Sequence, residues 1–177
     1  MTADEAYGQV KHLRVWLEQR GVGYVPATRV NDTVITTGWR EVRVDELVAA
    51  SPRQAWKRLS GGRGSHGERV YDRARVTIRP VGEDGVGHWV LANRSVKDPT
   101  DIAHYVCYGP VGTRLKDLLK VAAARWAVEE SFQVAKNECG LDHYQVRRYD
   151  AWYRHIALAM AALTAIRSRE LEKGAAD

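Results

Sequence analysis

The 177-residue chain has little cysteine: only Cys107 and Cys139. Two such residues have neither the spacing of a zinc site nor the even set of a disulfide framework, so a stapled scaffold is excluded and a reducing cytoplasm is the expected setting. No apolar run reaches the roughly 18 residues that span a bilayer. The opening Met1-Thr-Ala-Asp-Glu has neither the basic start nor the apolar stretch of a secretory leader, and none is expected there. Low-complexity tracts, internal repeats and a collagen-like period are absent as well. The glycine-rich Gly61–Gly67 segment lacks a Lys-Ser/Thr ending and a following helix, so it is not read as a P-loop.

What remains is an ordinary globular composition, 45% hydrophobic and 28% charged, long enough for one sizeable core. The net charge of +5 is unevenly placed. Between Arg53 and Arg79 lie eight basic residues and only two acids, Glu68 and Asp72, so this stretch carries 8 − 2 = +6. A basic stripe can hold a phosphate backbone by releasing its counterions. A solvated Arg-rich surface is the equal alternative.

Along the chain, Thr2 and Ala3 read as the end of a strand that stops at Asp4. Val10, Leu13, Trp16 and Leu17 then share one face of a helix over 9–20, with Gly21 as its stop. Gly23–Ala27 reads as a short strand, which completes one crossover unit. Short strands follow at 34–37 and 42–44. Asp45 is placed as the cap of a helix over 46–50, and Ser51-Pro52 as the start of another through Trp56 and Leu59. Gly61–Gly67 is read as a turn and 81–87 as a loop. Between them, Tyr71, Arg73, Arg75, Thr77 and Arg79 alternate with smaller or apolar residues, giving a strand with one basic face. His88–Ala92 and His104–Tyr108 are further strands. Leu115 to Asn137 and Ala151 to Lys173 are long helices. Asp150 is expected to cap the second, and Ile156, Leu158, Ala159, Ala162, Leu163 and Ile166 are expected to form its core face. The tail 174–177 is expected to fray.

On the first long helix, Arg125, Glu129 and Lys136 fall within about 40° of one another on the helical wheel. Leu118, Ala122 and Phe132 share that side. Charges in line with apolar residues suggest a face that leaves the core for a polar cleft. A surface Arg–Glu–Lys network is the other reading.

The stretch Arg125-Trp-Ala-Val-Glu129-Glu-Ser-Phe-Gln-Val-Ala-Lys136 resembles the Y-x2-R-x3-E-x6-K signature of DDE transposases of the insertion-sequence-four superfamily. The tyrosine position of that signature falls on Ala122. Gly140–Tyr149, Trp152–His155 and Thr2–Gly8 look like the seven-oh-one branch, whose second catalytic Asp matches Asp4. The resemblance implies an α+β chain: a partial ribonuclease-H-like core, a mostly β insertion and two long C-terminal helices. Its expected parts are core residues 1–27, insertion 28–113, core helices 114–173 and tail 174–177. It implies a site of three carboxylates holding two divalent cations, usually Mg²⁺, which activate water or a DNA 3′-hydroxyl. Asp4 and Glu129 match the second and third carboxylates. Arg125 and Lys136 match cations that hold DNA phosphates. Arg73, Arg75, Arg79, Arg147 and Arg148 are further candidate DNA contacts. The implied partners are transposon ends, target DNA and a second copy in the full-length protein.

The resemblance also implies a first Asp upstream of Asp4, and the chain has none there. It therefore reads as a C-terminal fragment that holds metal weakly and does not transfer strands alone. The alternatives are a non-catalytic DNA-binding or interfering remnant that uses the Arg53–Arg79 stripe, and an unrelated domain with a surface ion network. Elsewhere, His155 is read as a hydrogen-bonded structural residue rather than a metal or DNA group. Trp89, Trp16, Trp56 and Trp126 are read as packing residues. His143 and Cys139 lack partners for a zinc site.

Overall fold

The two apolar runs at His88–Ala92 and His104–Tyr108 form the centre of a five-stranded sheet. The computed structural model describes residues 1–64, 67–79, 85–145 and 147–174. In chain order its elements are α1 (Glu5–Gly8), α2 (Lys11–Glu18), β1 (Ala27–Thr28), β2 (Thr33–Ile35), β3 (Glu41–Arg43) and α3 (Val44–Ala49). Then come β4 (Lys57–Gly64), β5 (Gly67–Thr77), β6 (Val86–Ser95), β7 (Ile102–Pro110), α4 (Leu115–Cys139) and α5 (Tyr149–Gly174). The chain is α+β and folds as two compact units, residues 1–125 and residue 126 onward, with the change inside α4.

In the first unit the sheet order is β1-β7-β6-β5-β4, and all these neighbours are antiparallel. Side chains alternate across it. Val90, Ala92, Val106 and Tyr108 pack with Leu17, Val34, Val44 and Val48 from α2, α3 and the β2–β3 hairpin. Trp89, Leu91, Tyr105 and Cys107 pack with Leu118, Leu119 and Ala122 of α4. Both faces are covered, so these strands read as nearly unbroken apolar runs. Trp89, at 4% exposure, is a core residue, as expected.

β1 continues the pairing of a longer segment. Tyr24 bridges Tyr108, Val106 donates to Pro26 O at 3.2 Å, and Ala27 and Thr28 pair with Tyr105 and His104. The residue numbers of every pair sum to 132, so one register holds throughout. Pro26 has no N–H to give, which interrupts the ladder and leaves only two residues of regular strand. On its other side the same segment receives residues 1–3. Val25 donates to Met1 O at 2.8 Å and Ala27 to Ala3 O at 2.9 Å. The offset is 24 in both pairs (25 − 1, 27 − 3), as parallel pairing requires. The expected order of extended run, helix and extended run is present, with a shorter helix (Lys11–Glu18) and regular strand only at Ala27–Thr28 instead of 23–27. The expected 27/28 boundary cuts through β1, and the β-rich middle extends the same sheet.

Several local expectations give way to pairing. Arg53–Ala55 forms only a 3₁₀ turn, and the expected helix to Leu59 is replaced by β4 from Lys57. β4 and β5 take in Gly61–Gly64 and Gly67 of the expected Gly61–Gly67 turn; residues 65–66 lie outside those described. Of the loop expected at 81–87, Val86 and Gly87 belong to β6; residues 81–84 lie outside those described. Asp45 does not cap α3. It lies in the first turn, accepts from Glu46 N–H at 2.9 Å and binds Arg43 at 3.0 and 2.6 Å. Trp16 is 48% exposed beneath the Arg20 guanidinium at 3.8 Å, rather than packed in the core. Trp56 does pack against the core, with Arg94 4.0 Å above its ring. The Trp126 side chain lies outside the described residues.

In the second unit α5 starts at Tyr149, which puts Asp150 in the first turn rather than at the cap. Ala159 and Leu163 are buried and Ile156 and Ile166 half-buried, but Leu158 is 71% exposed and Ala162 is exposed. The core stripe is thus narrower than expected. His155 Nε2 lies 2.9 Å from Gly140 O, the carbonyl of a residue with φ 63° that turns the chain after α4. This fits the structural role assigned to it. Residues 175–177 of the expected frayed tail lie outside those described.

Candidate functional site

Asp4 follows the parallel run of residues 1–3 and is the N-cap of α1. Its Oδ1 accepts from Ala6 N–H at 3.1 Å and Tyr7 N–H at 3.3 Å, so two backbone dipoles orient the carboxylate. The side chain is exposed, and Oδ2 has no hydrogen-bond donor among the described residues. One oxygen is therefore fixed and the other is presented to solvent.

The turn behind Asp4 is anchored tightly. A Cβ on Gly8 would lie 1.6 Å from Ala27 O, so α1 rests directly on β1 where only glycine fits. Gly8 O accepts from buried Arg14 Nε at 2.7 Å. Arg14 Nη2 also donates to Thr28 Oγ1 at 3.1 Å and pairs with Asp32 Oδ2. Asp32 accepts in addition from Thr28 Oγ1 at 2.6 Å and from Thr33 N–H at 2.8 Å. The sequence reading missed this network. Its signal was available: Arg14 falls in line with Val10 and Leu17 at helical spacing, a charge on an apolar stripe.

Residues 1–3 and 24–28 run the same way and β7 runs the opposite way. Their ends at Asp4–Glu5, Thr28–Asn31 and Ile102–His104 therefore meet at one rim. A polar hollow of about 420 Å³ lies there, lined in part by Glu5, Thr28, Arg29, Asn31 and His104. His104 is 6% exposed. Burial pushes its pKa below the usual 6.5, against the opposing pull of Asp45 and Glu5. The unfolded chain thus takes up this proton at a higher pH than the folded one. Stability on this account is complete above pH 6.5 and falls as pH drops below it towards the folded value. We expect urea midpoints measured between neutral and mildly acid pH to fall less steeply for His104→Gln than for the parent chain. Equal slopes would remove His104 as the source.

α4 carries the second set of candidates. Leu118 and Ala122 are buried, Arg125 is half-buried, and Glu129, Phe132 and Lys136 are exposed. Exposure along this stripe therefore rises between Ala122 and Glu129. Helical periodicity brings Arg125, Glu129 and Lys136 to one side of α4. Asp4 belongs to the first unit and Glu129 to the second.

The basic stripe is divided by the fold. Arg73 is 3% exposed, with Nε lacking a hydrogen-bond partner among the described residues; burial lowers its pKa, and it is withdrawn as a DNA contact. Both sheet faces are covered here, so one residue in two of an alternating strand need not meet water. Arg75 is exposed but donates to Thr113 O at 2.7 Å. Arg79 binds Glu18 at 3.4 Å. Arg58 pairs with Asp72 at 2.9 Å. Arg147 and Arg148 are exposed, the latter 3.5 Å from Asp150. Among the described residues no three His, Cys, Asp or Glu side chains form a metal-holding group, and no helix is long and apolar enough to cross a membrane.

No curated protein and no solved structure matches the chain. A family model described as transposase DDE domain matches residues 1–165, a span that includes Asp4, the sheet and Glu129. Over nearly its whole length, then, the chain belongs to the transposase DDE domain family.

Proposed function

We propose that Asp4 and Glu129 are two of the metal-holding carboxylates of a site that cleaves DNA and transfers its strands, acting on transposon ends and target DNA. The observation that carries this is the presentation of Asp4: an exposed carboxylate at a sheet rim, one oxygen held by helix amides and the other open, in a family whose members act on DNA. Exposed carboxylates are the donors that hard divalent cations such as Mg²⁺ take. Bound there, such ions supply Lewis-acid activation of a water or 3′-hydroxyl and stabilisation of the oxygen that leaves phosphorus. Asp4 and Glu129 would hold the ion. Arg125 and Lys136 hold the phosphates on either side of Glu129, and Arg147 and Arg148 extend that hold. In this reading residues 1–27 and 114–173 are the catalytic core and 28–113 an insertion. Gly140–Tyr149 and Trp152–His155 support the seven-oh-one branch.

Iron-directed cutting tests the shared ion. Fe²⁺ replaces Mg²⁺, and ascorbate with peroxide then cleaves the backbone beside it. We expect cuts near both residue 4 and residue 129, suppressed by excess Mg²⁺. Both should be lost in Asp4→Asn and both in Glu129→Gln. Cuts at only one position, or cuts at 129 that survive Asp4→Asn, would break the reading.

A further inference from the structure

The start of α5 carries three large rings that no core takes in. Tyr149, Trp152 and Tyr153 are 70%, 43% and 56% exposed. Spacings of three and four put them on one side of the first turn. Tyr149 and Trp152 are nearly parallel, at 22° and 6.2 Å between centroids. Tyr153 sets its edge against both, at 4.9 and 5.3 Å. Each ring is therefore held by the other two while its outer face stays in water. The 6.2 Å separation is that of one stacked pair, so a further ring must add to an outer face rather than enter between.

The surroundings are cationic. Arg147, Arg148 and Arg154 are exposed, and Asp150 is the one acid between 147 and 154, giving 3 − 1 = +2. An aliphatic partner surface gains nothing from three guanidinium groups at its border. A nucleic acid strand uses both features, bases on the rings and phosphates on the arginines. A base inside a duplex already has both faces stacked, so only an unpaired base has a face to offer.

We propose that Tyr149, Trp152 and Tyr153 form a stacking platform for unpaired bases of a DNA strand whose phosphates are held by Arg147, Arg148 and Arg154. This rests on the reading of the chain as acting on DNA and specifies the state of the DNA it holds.

The test uses the 177-residue chain and fluorescein-labelled oligothymidylate of about 12 nucleotides, within the span such surfaces cover, at about 50 mM salt, where phosphate contacts are strong. Trp152→Ala should weaken single-strand binding about tenfold and leave binding to a duplex of equal length unchanged. Trp152→Phe, which keeps a ring, should restore most of the loss. Arg147→Gln with Arg148→Gln should weaken both forms and flatten the salt dependence. Unchanged single-strand affinity in Trp152→Ala overturns the platform, as does an equal loss on both forms. Self-association abolished by Trp152→Ala without any effect on DNA also overturns it, in favour of a protein cover. Iron-directed cutting reads the metal site separately: intact cuts with no stacking effect reject the platform alone, and the reverse rejects the metal site alone.

Discussion

Asp32→Ala is expected to cost the fold about 3–5 kcal/mol, the usual loss when one partner of a buried ion pair is removed. The side chains of Arg14 and Asp32 are 9% and 6% exposed. Without Asp32 the guanidinium keeps two neutral acceptors, Gly8 O and Thr28 Oγ1, and has no counter-charge. Thr33 N–H and Thr28 Oγ1 lose their acceptor as well. Urea unfolding should show the loss as a lower midpoint at unchanged slope. Arg14→Leu combined with Asp32→Ala should recover part of it, because no charge is then left buried. A loss under about 1 kcal/mol would mean that the pair behaves like an exposed one.

Gly8→Ala should be nearly as costly, about 3 kcal/mol, the upper end for overpacking. The new methyl meets backbone, 1.6 Å from Ala27 O and 2.8 Å from Ala27 C, which no rotamer change can relieve. α1 must move away from β1, taking the Asp4 cap with it. Iron-directed cuts near residue 4 should therefore fade together with thermal stability. Gly112→Ala is the control, since nothing lies within 4 Å of its added Cβ. Equal melting temperatures for the two variants would show that α1 is not seated on β1 as described.

The elements that came through in the sequence are those whose pattern and packing agree. The runs at 88–92 and 104–108 pair as β6 and β7, and the long helices start within two residues of where periodicity put them. The errors have one physical source: a local signal that long-range pairing overrides. Ser51-Pro52 is a sound helix start, but Lys57–Ser60 pair with Val70–Arg73, and the helix stops after one 3₁₀ turn. Glycines 61, 62 and 64 suggested a turn, yet β4 continues through them, with the register shift falling at Gly61 and Gly62 and pairing resuming at Arg63. Arg73 sits on the basic face that alternation identified, beside exposed Arg75, but period two does not say which residues of a face meet water. The candidate site was legible through resemblance: Asp4 and Glu129 as acids in the family's order. Arg14 showed only as a charge on an apolar stripe, and the roles of Asp32 and His104 did not show at all, because they depend on neighbours distant in sequence.

The rim beside Asp4 has a consequence for how such a chain can diversify. Arg29, Asn31 and the other hollow-lining positions outside regular strands can be exchanged one at a time while the 132-sum ladder stays paired. What the hollow next to Asp4 offers a bound partner is therefore adjustable by changes at strand ends alone, and a new preference does not require a new fold.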